Sequence, residues 1–336
     1  MEKFKVNKKI LISLLIIVVI LLIMAFFVKK EGEDFPITQS IPKPIIPNPI
    51  ETGFQIQSKL DEKDFPADKS ASLLIRERTS AFTETEARDI ASKMGFSGEP
   101  IVIDDTFAGL TYFWKNVPES LFVYSGTRTI TYNYNQYEPV PNKQLSDAAI
   151  KKAAEDFLAE NSLFNIDELS FSFFTFLSKP TGDAHGLTFS SKEDASIFIV
   201  NFISAETSVK LITLDPRSSP ISVWVLPNGQ ITKSEISKLG KLSISKDKHA
   251  LKNYTEFITT LKEAVLISLD DGNILLHDVT NSVRKIEVSG VELVYYTESN
   301  EAEVFQPIFL LKGEASVAGF PEDVSAVLYL PAIKNP

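Results

Sequence analysis

Site chemistry needs a nucleophile, a proton carrier or a metal cage, and this chain offers few residues able to supply one. Histidine occurs three times, at His185, His249 and His277, never in the HxH or HExxH spacing that turns two imidazoles toward one ion. Thr181-Gly182-Asp183-Ala184-His185-Gly186 sets an acid and an imidazole two residues apart, which suits a shared cation and equally a solvated loop tip. Asp270-Asp271-Gly272-Asn273 lacks the upstream acid and the downstream glutamate of an EF-hand loop and reads as a helix-ending turn. Ser243-Ile244-Ser245-Lys246 fits the S-x-x-K pattern of a lysine-activated serine, but in a lysine-rich segment without an apolar helical context. Asp104-Asp105 and Glu193-Asp194 are sequence neighbours, and neighbours rarely converge on one substrate. No G-x-S-x-G and no glycine-rich phosphate loop is present. No catalytic, cofactor-binding or metal-ligating residue is therefore assigned, and the chain is read as non-enzymatic with no cofactor.

Composition narrows the partners. The formal charge is −10, and six lysines against one glutamate in the first thirty residues leave the remainder more acidic still. Such a surface repels nucleic acid. Apolar residues make up 44% of the chain and phenylalanine occurs 24 times, enough to build a core and exclude a disordered chain. Cysteine is absent, so no disulfide, thiol nucleophile or cysteine-based zinc site contributes. Tyr112, Phe113, Trp114, Tyr132, Tyr134 and Tyr137 cluster, and stacked aromatics beside carboxylates can bind sugar rings, which makes a cell-wall glycan the alternative partner. The same residues at strand spacing are also what the buried face of a sheet requires.

Ile10 to Val28 is an uncharged, almost wholly apolar run. As a helix it is about 28 Å long, close to the roughly 30 Å hydrocarbon core of a bilayer. Lys3, Lys5, Lys8 and Lys9 precede it, and only Lys29 and Lys30 follow. The positive-inside rule then predicts a cytoplasmic tail (1–9), a transmembrane signal anchor (10–28) and an extracytoplasmic remainder. The run is longer than a cleavable h-region and ends without a small-x-small site. Residues 29–57, with Pro36, Pro42, Pro44, Pro47 and Pro49, read as an extended linker. The expected localisation is the cell membrane, single-pass.

Three α+β modules are expected beyond the linker, over 58–142, 143–240 and 241–336. Thr83 with Glu86 forms a capping box and Gly95 supplies the stop of a first helix, with Ala87, Ile90, Ala91 and Met94 on one face. Strands follow at Gly109–Trp114, Ser120–Tyr124 and Thr127–Asn135, the last alternating Arg128, Ile130, Tyr132 and Tyr134 with Thr127, Thr129, Thr131 and Asn133. Ser146 caps a second helix whose Ala149, Ile150, Ala153, Phe157 and Leu158 share a face. Strands are predicted at Leu169–Leu177, Ala195–Ser204, Ile221–Leu226 and Gln230–Ile236, with Ile197–Phe202 at a sheet centre. Thr260 and Glu263 open a third helix burying Leu261, Val265 and Leu269. Strands then fit Ile274–His277, Val291–Thr297, Phe305–Leu311 and Val324–Leu330. The recurring helix start is equally what duplication and what capping alone would select.

The Thr-x-x-Glu-Ala helix starts, the segment Phe305-Gln306-Pro307-Ile308-Phe309-Leu310-Leu311-Lys312-Gly313 and the ending Leu328-Tyr329-Leu330-Pro331-Ala332-Ile333 together resemble bacterial membrane-anchored proteins with PepSY-like ectodomains. YycH and YycI, regulators of a sensor histidine kinase, are similar in plan. The resemblance implies helix-plus-antiparallel-sheet modules, no catalytic residues, and a regulatory or inhibitory module that binds another extracytoplasmic or membrane protein.

Overall fold

The computed structural model describes residues 44, 46, 54–77, 79–106, 108–135, 145–178, 187–205, 209–270, 282–297 and 302–334. In chain order the elements are β1 (Gln55–Ser58), β2 (Ser70–Arg76), α1 (Glu84–Lys93), β3 (Ile101–Asp105), β4 (Gly109–Asn116), β5 (Glu119–Tyr124) and β6 (Thr129–Tyr134). Next come α2 (Asp147–Glu160), β7 (Leu169–Ser178), β8 (Thr188–Phe189), β9 (Ile197–Ser204), β10 (Leu211–Ile212), β11 (Ile221–Val225) and β12 (Ile231–Ser237). The last are β13 (Leu242–Ala250), α3 (Tyr254–Thr260), β14 (Val265–Asp270), β15 (Val283–Tyr296), β16 (Val304–Val317) and β17 (Val324–Pro331).

Two large sheets hold these strands. The nine-stranded one has the order β3-β4-β5-β6-β12-β11-β9-β7-β8. The alternating residues of its strands put Tyr112, Trp114, Leu121, Val123, Ile130, Tyr132, Phe198, Val200, Val223 and Ile236 in one core with the apolar faces of α1 and α2. Ala87, Ile90, Ala91 and Met94 face this core as the helix period predicts, as do Ile150 and Leu158. Both capping residues do what their types dictate. The Thr83 and Glu86 side chains exchange bonds with each other's backbone N–H, and Ser146 Oγ accepts from Ala149 N. β9 lies inside the sheet between β11 and β7, and Ile197 to Ile203 are buried throughout. Its one polar residue in that stretch, Asn201, is satisfied by the folded-back loop that follows β10: it accepts from Ser219 N (2.7 Å) and donates to the Arg217 carbonyl (3.3 Å).

The second sheet, of eight strands, runs β1-β15-β16-β17-β14, with β10 on β15 and β2 bridging β13 and β16. The long hairpin β15–β16 is its spine. The N-terminal strands belong to this C-terminal sheet, β1 pairing parallel to β15 and β2 antiparallel to β13. α3 covers one face through Phe257, beside Leu261, Phe309 and Leu330. Leu74, Ile203, Leu211, Leu239, Leu242, Tyr295 and Phe305 form a cluster drawn from both sheets, which locks them together.

The expected α+β chain of helix-plus-sheet, PepSY-like modules is thereby corrected to a mostly β fold with two large sheets and, among the described residues, three α-helices. Strands from 58–142 and from 143–240 share the nine-stranded sheet, and β1 and β2 join strands from 241–336. The third helix shows the physical reason. Asn253 and Glu256 form the capping box that starts α3, and the Thr260 hydroxyl donates back to the Glu256 carbonyl (2.8 Å) in the last turn instead of capping a new helix. Val265–Asp270 is then a strand paired with β17. Leu261 and Leu269 are buried and Val265 is half-buried, but they do not share one helix face.

The membrane assignment is corrected as well. Among the described residues no helix is long and apolar enough to cross a membrane. The apolar run 10–28 and the greater part of the linker 29–57 lie outside the described residues, so the single-pass anchor, the signal anchor and the localisation built on them have no support in the structure. The expected strand Ile274–His277 also falls outside.

Candidate functional site

Two features of the described surface could accommodate a ligand or partner. The first is a cavity of about 580 Å³ beside the junction of the sheets, within the roughly 300–1,000 Å³ of small-molecule sites. Its walls are largely apolar, with Leu163, Phe202, Ile203, Leu211 and Leu242 among them. Three cations, Arg128, Lys238 and Lys241, line it against two carboxylates, Asp167 and Glu168.

Strand register brings the two central cations together. β6 and β12 pair antiparallel with Ser237 opposite Thr129, so the next residues outward, Lys238 and Arg128, also meet, Lys238 N donating to the Arg128 carbonyl (3.0 Å). Arg128 takes a left-handed backbone (φ 53°) in the turn between β5 and β6. Its Nη1 donates to the Ser80 carbonyl (2.6 Å), and its guanidinium lies 4.2 Å from the centroid of the Phe82 ring. Its Nε is buried without a hydrogen-bond partner. The Lys238 ammonium donates to the Leu163 carbonyl (2.8 Å) and stands 5.1 Å from the Phe164 ring centroid. Burial pushes the Lys238 amine below its ordinary range, reinforced by the charges of Arg128 and Lys93, which outweigh Glu168 and Asp89. Among the described residues neither Arg128 nor Lys238 is ion-paired with a carboxylate.

The second feature is the edge strand β3. It hydrogen-bonds only β4, leaving its outer edge unpaired among the described residues. Ile101, Val102 and Ile103 are 61%, 51% and 46% exposed, and Asp104 and Asp105 are exposed beside them. Another exposed edge, β13, carries Lys246, Asp247, Lys248 and His249 and a register shift between Ile244 and Lys248. Lysines and bulges are how sheets discourage edge pairing, and β3 has neither.

The residues weighed for chemistry scatter. Asp183 and His185 lie outside the described residues, as do His277 and Asp271 to Asn273. His249, Ser243 and Lys246 stand on β13, where the Ser243 hydroxyl donates weakly to the Ile75 carbonyl (3.5 Å). Asp105 accepts from Ala108 N (2.9 Å) in the β3–β4 turn, and Asp194 from Ser191 Oγ (2.9 Å). Among the described residues no group of three or more His, Asp or Glu side chains is placed to hold a metal ion. Of the aromatics considered for glycan, Tyr112, Trp114 and Tyr132 are core residues. Phe113 stacks on Phe122 (4.5 Å between centroids) on the other face of the sheet. Tyr132 and Tyr134 border a depression of about 350 Å³. There the Tyr132 hydroxyl already donates to Glu119 (2.8 Å), and burial, with that bond, raises its pKa far above the phenol range. Tyr137 lies outside the described residues.

Sequence reasoning missed both features. It ran Arg128 into strand β6 and assigned no strand to Ile101–Asp105. The β-branched Ile-Val-Ile between Gly98-Glu99-Pro100 and Asp104-Asp105 was the available signal for β3. The cavity had none, because Arg128 lies far along the chain from Lys238 and Lys241.

The sequence matches no protein-family model and no curated protein. Among solved structures, an uncharacterized protein from Eubacterium rectale ATCC 33656, with a crystal structure at 1.45 Å resolution, superposes with a TM-score of 0.45 at 10% identity, over 80% of this chain and 85% of that one.

Proposed function

We propose that this protein is a non-catalytic binding module that regulates or inhibits another protein, engaging an extended segment of it by strand addition at β3. The observation that carries the reading is the exposed, aliphatic β3 edge, unpaired among the described residues. Main-chain hydrogen bonds to that edge would supply affinity, and the side chains of alternate residues specificity.

Charge selects the occupant. Asp104 and Asp105 extend the apolar triplet, on a chain of net charge −10, so a segment alternating aliphatic and basic residues is complementary. A second copy is disfavoured. Antiparallel self-pairing centred on Val102 sets Asp105 opposite Glu99 and Asp104 opposite Pro100, which has no N–H to give.

A test titrates the protein with an alternating Val-Lys peptide and with its Val-Glu counterpart while following backbone amide resonances. Shifts confined to β3 and β4, given by the basic peptide and lost in an Ile101→Lys/Ile103→Lys variant, support the reading. Equal response to both peptides, or shifts away from β3, overturn it.

A further inference from the structure

The sheet-junction cavity asks for a ligand of a different kind, independent of the β3 edge. We infer that it is a binding site for a small apolar molecule carrying a single carboxylate, with the head held by Arg128 and Lys238 and the body against the apolar walls.

Four observations converge on that chemistry. Arg128 and Lys238 are adjacent through the β6–β12 register, and among the described residues neither is ion-paired with a carboxylate. Both side chains are half-buried, and charge drawn out of water into apolar surroundings is costly unless a counter-charge meets it. Arg128 also holds an unspent donor, Nε, buried without a hydrogen-bond partner, the kind of group an incoming oxygen satisfies. The lining carries three cations and two carboxylates, so one negative charge brings it to neutrality. A dianion would overshoot and meet Asp167 and Glu168. The apolar walls and the volume call for a body larger than the head alone.

Decanoate is a suitable probe, with decanol (same tail, no charge) and acetate (same head, no tail) as comparisons, each titrated calorimetrically into the full chain. Decanoate is expected to bind at one site, with decanol and acetate at least about tenfold weaker, since a charge-assisted pair and an apolar body each contribute at that level. Lys238→Met should weaken decanoate by about tenfold or more and Lys238→Arg should restore it. Arg128→Met should weaken it likewise. Amine acylation of the unmodified protein, read by mass spectrometry, covers the case in which Lys238→Met fails to fold. Decanoate, and not decanol, should then protect Lys238 while the exposed Lys93 labels as before. Equal binding of decanol, undiminished binding by Lys238→Met, or no protection of Lys238 would each overturn the assignment.

Discussion

β3 and β9 are built from the same aliphatic vocabulary, Ile-Val-Ile in one and Ile-Phe-Ile-Val in the other, in the same sheet. Every residue of β3 is exposed, whereas β9 from Ile197 to Ile203 is buried. Strand order makes the difference: β9 has a partner on both sides and α2 against its core face, while among the described residues β3 has one partner and no cover on its outer edge. Apolar composition thus specifies that a segment becomes a strand without specifying what its side chains are for. In β9 they hold the sheet, and in β3 they are available to another chain.

The largest effect that would break this comparison is a cavity in β9. Ile199→Ala should cost about 2–5 kcal/mol in chemical denaturation, whereas Ile101→Ala in β3 should stay within about 0.5 kcal/mol. Similar losses at both sites would show that β3 is structurally buried after all. A smaller effect concerns α1, which packs beside β4 and so backs the edge. Thr83→Ala removes its capping box and should cost about 1 kcal/mol, with the β3 amides keeping their resonances unless the edge depends on the helix. Asn253→Ala should cost a similar amount in the other sheet through α3. The smallest is a pH effect. The backbone and hydroxyl of Thr83 hold the Glu86 carboxylate below its ordinary range. Because the folded pKa lies below the unfolded one, the stabilisation is complete above the ordinary carboxylate range and disappears as pH falls through the lowered value. Glu86→Gln should flatten the acid limb of a thermal-melt series, and an unchanged limb would remove Glu86 from the account.

Local chemistry was the legible part of the sequence. Thr83, Ser146 and Gly95 announced two helices because caps and left-handed stops are decided by neighbouring residues. The strand Thr127–Asn135 was legible from its alternation, and Ile197–Phe202 from a run apolar on both faces. Thr260-x-x-Glu263 misled because capping residues also occur in the last turn of a helix, where a threonine hydroxyl can bond backward. Long-range pairing left no trace to read: nothing in Gln55–Ser58 says that it lies beside Lys285–Val288. The cavity was illegible likewise, since Arg128 and Lys238 meet only after β6 finds β12.

The pairing of β1 and β2 with strands near the other end of the chain also sets an order of events. Every strand of the nine-stranded sheet lies between Ile101 and Ser237, so that sheet can close once Ser237 has left the ribosome, its β6–β12 pairing spanning less of the chain than the pairing of β1 with β15. The eight-stranded sheet must wait for β15 and β16, holding β1 and β2 unpaired for most of synthesis, and its nucleus is the slower one on contact-order grounds. Apart from β10, the nine-stranded sheet is in effect an insertion within the other. Pulse-labelled hydrogen exchange during refolding should find Val200 and Val223 protected before Ile56, and the reverse order would show that the chain's ends meet first.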